Sequence, residues 1–255
     1  MEKGKVSIIT PAYNCGAFIE ETIRSVQNQT YGNWELLIVD DCSTDNTNKI
    51  VSRYVSGDSR IKYFRLDRSS GAAVARNVAL RKASGEWIAF LDSDDLWDDK
   101  KLETQLAFME GNDISFSYTP YREINEQSEE TGVIVRGPKR ISKFGMMAYC
   151  WPGCLTVMYN ANEVPLLQIP PIRKNNDYIM WLKLIRYMDC YLCPVILASY
   201  RKRAGSISNQ SKLSLVKWHY NMFKELGISG MGSFWHTFVN LVCGVFKKII
   251  YVSNK

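Results

Sequence analysis

The chain of 255 residues is 46% hydrophobic and 23% charged, with a formal net charge of +6. This is the composition of one large globular domain, or two small ones sharing a core, and it excludes intrinsic disorder. The charge is uneven: from Lys212 to Lys255 there are six Lys and one acid, so this tail carries +5 and the remainder only +1. A nucleic-acid protein would present a broad basic surface instead, so no nucleic-acid partner is expected.

The first hundred residues alternate strand and helix. Val6 to Thr10 is a short β-branched run, and Ala17 to Gln29 has apolar residues at helical spacing. Trp34 to Val39 reads as a second strand, Thr44 to Val55 as a second helix stopped by Ser56-Gly57, and Ile61 to Phe64 as a third strand. Gly71 to Ala83 is a third helix and Trp87 to Leu91 a fourth strand. Repeated βα units predict a mostly parallel sheet with helices on both faces, an α/β fold.

The middle of the chain is less regular. Lys100 to Glu110 reads as a helix, Ile114 to Tyr118 as a strand, and polar Glu123 to Thr131 as a loop or hairpin tip. Val133 to Val135 and Leu155 to Tyr159 are strand candidates, Asp177 to Tyr187 is a helix, and Cys190 to Tyr200 reads as one strand. From Ser211 on, two helices are expected. The second, Phe234 to Val252, is too polar and glycine-broken to span a bilayer and fits an amphipathic helix lying in a membrane interface; the alternative is a helix packed on the body.

The two His, His219 and His236, both lie in the tail, which argues against Ser-His-Asp, Cys-His and His-zinc chemistry in the body. Met1 to Lys5 leads straight into Val6 without a secretory signal pattern, so the seven Cys are expected to be reduced cytoplasmic thiols. Cys150, Cys154, Cys190 and Cys193 have spacing that a zinc site would use, but buried hydrophobic thiols are the favoured reading.

Ligands of parallel α/β sheets bind beyond the carboxyl ends of the strands, and that is where the polar residues fall. Strand one ends in Thr10-Pro11-Ala12-Tyr13-Asn14, strand two in Asp40-Asp41, strand four in Asp92-Ser93-Asp94-Asp95. Crowded carboxylates repel unless a cation neutralises them, and oxygen ligands favour Mg²⁺ or Mn²⁺. Acids at a helix start are the plain alternative, which suits Asp98 and Asp99. Asp40 and Asp41 are expected to be free at the strand end, with Ser43 or Thr44 capping the next helix. Arg76, in Gly71 to Asn77, is a cation that could pair with the acids.

These segments together resemble family 2 glycosyltransferases: Val6 to Asn14, Glu35 to Asp45, Gly71 to Asn77, and Gly85 to Asp95, resuming near Asn176 to Ser208. The resemblance implies a GT-A fold and a UDP-sugar donor. It implies Pro11, Tyr13 and Asp41 around the uracil with Arg76 nearby, and Asp92 and Ser93 toward the ribose or metal region. Asp94, with Asp92, would hold Mn²⁺ or Mg²⁺ at the diphosphate. In Asn176-Asp177-Tyr178-Ile179-Met180-Trp181 it implies Asp177 as general base; Asn176 stands where the family often has an acid. Asp177 as a plain helix N-cap is the alternative. Arg201 and Arg203, in Tyr200 to Ser208, would close over the diphosphate, unless that loop is simply solvated.

The segment Tyr200 to Ser208 resembles non-processive bacterial members, and a Gln-x-x-Arg-Trp motif is absent. The resemblance therefore implies inverting transfer of one hexose, galactose or glucose, to a polyprenyl-diphosphate-linked glycan in O-antigen or capsule synthesis. Residues 1–100 would form the nucleotide-sugar half, 101–210 the acceptor half, and 211–255 a tail in peripheral contact with the inner face of the membrane. A nucleotidyltransferase or a non-catalytic nucleotide-sugar-binding protein on a similar sheet are the competing readings.

Overall fold

The computed structural model describes residues 1–172, 174–203 and 212–254; the expected motif segment from Ala204 to Ser208 lies outside them. The chain opens with β1 (Glu2–Ala12), α1 (Ile19–Gln27), β2 (Trp34–Asp40), α2 (Thr47–Gly57), β3 (Ile61–Arg65), α3 (Ala72–Lys82) and β4 (Gly85–Phe90). It continues with β5 (Leu96–Trp97), α4 (Lys101–Gly111), β6 (Phe116–Tyr118), β7 (Tyr121–Ile124), β8 (Glu130–Val135), β9 (Arg140–Ile141) and α5 (Lys143–Ala148). After a 3-10 turn at Cys154–Thr156 come β10 (Met158–Asn160), α6 (Asn176–Leu184), β11 (Cys190–Leu192), β12 (Ala198–Arg201), α7 (Lys212–Glu225), α8 (Gly230–Ile250) and β13 (Val252–Asn254).

The expected α/β sheet is present. An eight-stranded sheet has the order β3-β2-β1-β4-β10-β6-β11-β9. Its first four strands run parallel, with Ala12 opposite Asp40 and Ile9 opposite Phe90, so β1, β2 and β4 end at one edge. β10 joins β4 antiparallel, and strands from beyond residue 101 extend the same sheet.

Every residue of β2 is buried, as expected for a strand covered on both faces. Ile9, Leu37, Val39 and Phe90 face one apolar cluster with Ala75, Ala79 and Trp181, from α3 and α6. Ile8, Leu36, Ile38 and Ala89 face a second with Ile19, Ile23 and Leu106, from α1 and α4. The buried positions of α1, Ile19, Thr22, Ile23 and Val26, have the spacing of one helical stripe.

One of these expectations changes and one narrows. Cys190 to Tyr200 is not one strand: β11 lies in the large sheet and β12 in a second sheet of order β13-β8-β7-β12-β5. Pro194 lies in the break, and a proline removes a ladder donor. Glu123 to Thr131 is a hairpin tip between β7 and β8. The zinc reading also falls. Cys154, Cys190 and Cys193 are buried and Cys150 half-buried, all as free thiols, and among the described residues no three His, Cys, Asp or Glu side chains are arranged to hold a metal.

Lys101, the first residue of α4, is fully buried, and its ammonium lies 4.0 Å from the Trp97 ring centroid with no hydrogen-bond partner. Burial lowers its pKa from 10.5 to about 7. Between those values only the unfolded chain holds the proton, so stability rises with pH through that window and is lowest below it. Lys101→Met is expected to stabilise the protein at neutral pH by about 1–3 kcal/mol and to flatten that rise; urea melts across the window measure both.

Candidate active site

The carboxyl edge of β2, β1 and β4 carries the site. The Asp41 amide donates to the Ala12 carbonyl at 2.8 Å and the Leu91 amide to the Ile9 carbonyl at 3.1 Å, so the turns after the three strands begin side by side. Pro11 is buried beneath this edge and Tyr13 is half exposed above it.

Asp40 is not free, contrary to the expectation. Its buried carboxylate accepts from the Ser43 amide at 2.8 Å, the Ser43 hydroxyl at 2.5 Å and the Tyr63 hydroxyl at 2.5 Å. Nor does Ser43 or Thr44 cap α2. The Asp45 carboxylate takes the Thr47 amide at 3.0 Å, while the Ser43 hydroxyl accepts the Asn14 amide at 2.9 Å. Asp40 thus fixes the turn after β2, and Ser43 ties it to the turn after β1.

Asp41 is likewise buried and not free, and it organises the entry to α3. Its carboxylate accepts from the Ser69 hydroxyl at 2.9 Å, the Ser70 amide at 2.6 Å and the Gly71 amide at 2.9 Å. A carboxylate offers about four acceptor positions, so one is left for a ligand. Gly71 has φ of 92°, a left-handed conformation that a side chain disfavours. Holding this loop sets where α3 starts, and therefore where Arg76 lies.

Arg76 is the junction of the site. It is buried at 6% exposure and donates through one terminal nitrogen to Asp92 Oδ1 and through the other to Asn176 Oδ1. Its pKa is raised: Asp92, then Cys154 and Asp177, outweigh a large opposing effect of burial. Sequence reasoning saw Asn176 only as a departure; here it supplies a neutral acceptor for the guanidinium.

Asp177 is half-buried in the first turn of α6 and accepts from the Tyr178 amide at 2.9 Å. The N-cap position is Asn175, with φ of 57°, so Asp177 is not the cap. Burial pushes its carboxyl pKa up, Arg76 pulls it down, and Asp92 pushes it up again.

The acidic turn after β4 divides by role. Ser93 is buried, beside Cys15. Asp95 is buried and accepts the Arg201 amide at 2.8 Å; burial and then the charges of Asp94 and Asp92 push its carboxyl well above the usual range. Asp94 pairs with Arg203 at 2.8 Å. Its carboxyl is raised by burial, lowered by Arg203 and raised by Asp92. Asp92 and Asp94 keep 31% and 17% side-chain exposure, so both reach the opening. Two hard oxygen donors with surplus negative charge fit a Mg²⁺-type ion that takes few protein carboxylates and completes its shell with phosphate.

The expected pair Arg201 and Arg203 separates. Arg201 is buried, with all three guanidinium nitrogens engaged: Nε on the Asp94 carbonyl at 2.7 Å, one terminal nitrogen on the Ser128 hydroxyl at 2.8 Å, the other on Glu21 at 2.8 Å. It also lies 5.0 Å from the Phe18 ring centroid. Arg201 is therefore built into the body beneath the acidic turn, and does not stand over the site. Arg203, 33% exposed on Asp94, is the one at the mouth. Removing the buried cation at the junction, Arg76→Met, leaves Asp92 and Asp177 facing each other without a counter-charge. A loss of about 1–3 kcal/mol in folding stability is expected, read as a lower thermal midpoint.

Comparison with known proteins identifies the family and the fold. The family model described as glycosyl transferase family 2 matches residues 7–156. A putative teichuronic acid biosynthesis glycosyltransferase, TuaG, of Bacillus subtilis is 39% identical over 88% of this chain and 89% of its own length. WfgD of Escherichia coli, named a UDP-Glc:alpha-D-GlcNAc-diphosphoundecaprenol beta-1,3-glucosyltransferase, is 38% identical over 100% of this chain and 99% of its own. Among solved structures, S. aureus TarS (residues 1–349) in complex with UDP-GlcNAc superposes with a TM-score of 0.67 at 21% identity, covering 90% of this chain and 69% of that one. The mannosyltransferase PcManGT from Pyrobaculum calidifontis, in complex with GDP-Man and Mn²⁺, gives 0.64 at 18%, covering 92% and 68%. These structural likenesses show the fold, which is GT-A. With the family model covering residues 7–156 and relatives of 38–39% identity along most of its length, the chain belongs to glycosyl transferase family 2.

Proposed function

We propose that the chain is an inverting hexosyltransferase that moves one glucose from UDP-glucose to a hydroxyl of a polyprenyl-diphosphate-linked glycan, in bacterial surface polysaccharide synthesis. The observation that carries the reading is the junction of Arg76 with Asp92 and Asn176, which sets a half-buried carboxylate, Asp177, beside the acidic strand ends. The choice of glucose over galactose is supported by WfgD, and by WfaP of the same organism, which carries the same activity in its name at 37% identity. Residues 1–100 are the donor half and 101–210 the acceptor half. Among the described residues no helix is long and apolar enough to cross a membrane, which fits peripheral attachment at the cytoplasmic face.

In this reading Pro11, Tyr13 and the spare acceptor position of Asp41 receive the uracil. Asp92 and Ser93 face the ribose and diphosphate, with Arg203 reaching the diphosphate from Asp94. Asp94 and Asp92 are the residues that would hold Mn²⁺ or Mg²⁺, which when bound neutralises charge on the diphosphate. The acceptor oxygen forms its bond to the anomeric carbon as the bond to the UDP oxygen breaks. The acceptor proton passes to Asp177, and UDP leaves with the electron pair. Attack opposite the leaving group inverts the configuration. Arg76 keeps Asp177 ionised enough to accept that proton despite burial, and Arg201 holds the backbone of Asp94 in place.

Asp177→Asn should lower kcat about 10²–10⁴-fold while UDP affinity stays unchanged, measured by UDP release and calorimetry. Transfer that persists in this variant would overturn the base assignment; pyrophosphate released from UTP and a sugar 1-phosphate, with no transfer from a UDP-sugar, would mark a nucleotidyltransferase. A panel of UDP-sugars with a synthetic lipid-diphosphate acceptor, with and without chelator, reads donor choice and metal dependence together. The base is needed deprotonated, and burial raises its pKa. Activity is therefore lost as pH falls through a value above the ordinary aspartate range of about 3.9, and Arg76→Met moves that acid limb further up.

A further inference from the structure

Helix α8 is packed inside out. Its buried residues are Ser233, Thr237 and Asn240, continued by Gly244, where an added Cβ would lie 3.1 Å from the Tyr149 ring. The Lys247 ammonium follows on the same face, donating to the Trp151 carbonyl at 3.1 Å and lying 5.2 Å from the Tyr149 ring centroid. The opposite face carries Met231, Phe234, Trp235, Phe238, Val245, Phe246 and Ile249, each more than half exposed. A helix of a water-soluble protein turns its apolar stripe inward; this one does the reverse along its 21 residues, about 30 Å of length.

The arrangement is fixed at both ends, so the exposed face does not reflect an undocked helix. Ser229 caps the start, its hydroxyl accepting the Gly232 amide at 3.2 Å. After α8, β13 pairs antiparallel with β8, and the Arg136 amide donates to the Tyr251 carbonyl at 2.7 Å. In the middle, Asn240 donates to the Tyr178 hydroxyl at 3.0 Å, and that hydroxyl donates to the Met146 carbonyl at 2.7 Å. Tyr178 follows Asp177 directly in α6, so α8 is bonded to the helix that carries the base.

The geometry points to the outward face of α8 as the surface that inserts into the headgroup and upper acyl region of an anionic bilayer, on the side of the molecule where α6 begins. Two observations select a bilayer over a second copy. Between Gly230 and Ile250 there is no acidic residue, while Lys248 beside the stripe and Lys217 and Lys224 on α7 are exposed. That charge attracts anionic lipid and repels an identical surface. A single helix rich in Phe, with one Trp, presents the face of an interfacial anchor. The inference deepens the proposed function, on which it rests only for the acceptor: a lipid-held acceptor and the base helix are brought to the same side.

The test uses the full chain with vesicles of phosphatidylglycerol and phosphatidylethanolamine. The wild type should co-sediment, and the combined variant Phe234→Ser, Phe238→Ser, Phe246→Ser should bind at least about ten-fold more weakly with an unchanged thermal melt. Turnover of a long-chain lipid acceptor in vesicles should fall similarly, and turnover of a water-soluble short-chain acceptor should not. As a readout in an otherwise native chain, brominated lipid should quench fluorescence in the wild type and less so in Trp235→Phe. Equal vesicle binding by wild type and triple variant overturns the proposal. So does a wild-type dimer that the triple variant dissociates, with neither binding vesicles. Vesicle binding lost in the variant, with no sugar transfer by either protein to any acceptor, sinks the proposed reaction and leaves the docking face standing.

Discussion

A buried guanidinium holds this site together. Arg76 belongs to α3, Asp92 to the turn after β4, and Asn176 to α6; its two terminal nitrogens join all three. Taking a cation out of water is unfavourable unless counter-charge and hydrogen bonds meet it. The carboxylates of Asp92 and Asp177 supply the charge, and Asn176 supplies an acceptor without adding a third negative charge at the contact. An acid at 176 would draw part of the Arg76 field away from Asp177. The Asn leaves the Arg76 field to be shared by Asp92 and Asp177 among the described residues.

The same economy of charge recurs on the other side of the opening. Asp94 and Asp95 are adjacent, Asp94 partly and Asp95 fully buried; burial and then the charge of Asp92 raise the first, and burial and then the charges of Asp94 and Asp92 raise the second. The protein meets this with Arg203 on the Asp94 carboxylate and the Arg201 amide on Asp95. Arg201 itself is bound to Glu21 of α1 and to the hairpin tip at Ser128, so the acidic turn is braced against two distant segments. The Arg203 contact joins two partly exposed side chains, and it can exchange for a ligand without removing the buried Arg201.

The strand–helix alternation of the first hundred residues was readable because both faces of the sheet are covered, which makes the strand centres short apolar runs, with Asp residues following at the carboxyl ends of β2 and β4. Placing Asp41, Asp92 and Asp94 at one edge needed only that the strands be parallel and adjacent. Arg201 shows where sequence stops. An Arg in a basic loop motif looks solvated, and its burial depends on Phe18, Glu21 and Ser128, residues with no local relation to it. Cys190 to Tyr200 looked like one strand because apolar continuity is the same whether a segment stays in one sheet or crosses to another. Asp40 looked like a ligand for the reason Asp41 did. Each accepts three hydrogen bonds; what differs is where they lead, Asp40 to its own turn and to Tyr63 of the neighbouring strand, Asp41 to the loop that opens α3.

The tail sharpens the meaning of the net charge. A count of six Lys suggests an electrostatic attachment, yet Lys247 is folded against Tyr149 and the Trp151 carbonyl, where burial lowers its pKa. It serves as part of the inward polar face, in line with Ser233, Thr237, Asn240 and Gly244. Period alone revealed that α8 has two faces but not which one meets the body. The body decides this, by offering Tyr178 as a hydrogen-bond partner and the Tyr149 ring at a distance where an added Cβ would be crowded. Once those contacts take the polar face, the apolar one has nowhere to go but outward. In the proposed bilayer docking, the tail would be held by its exposed hydrocarbon first and by lysine charge second.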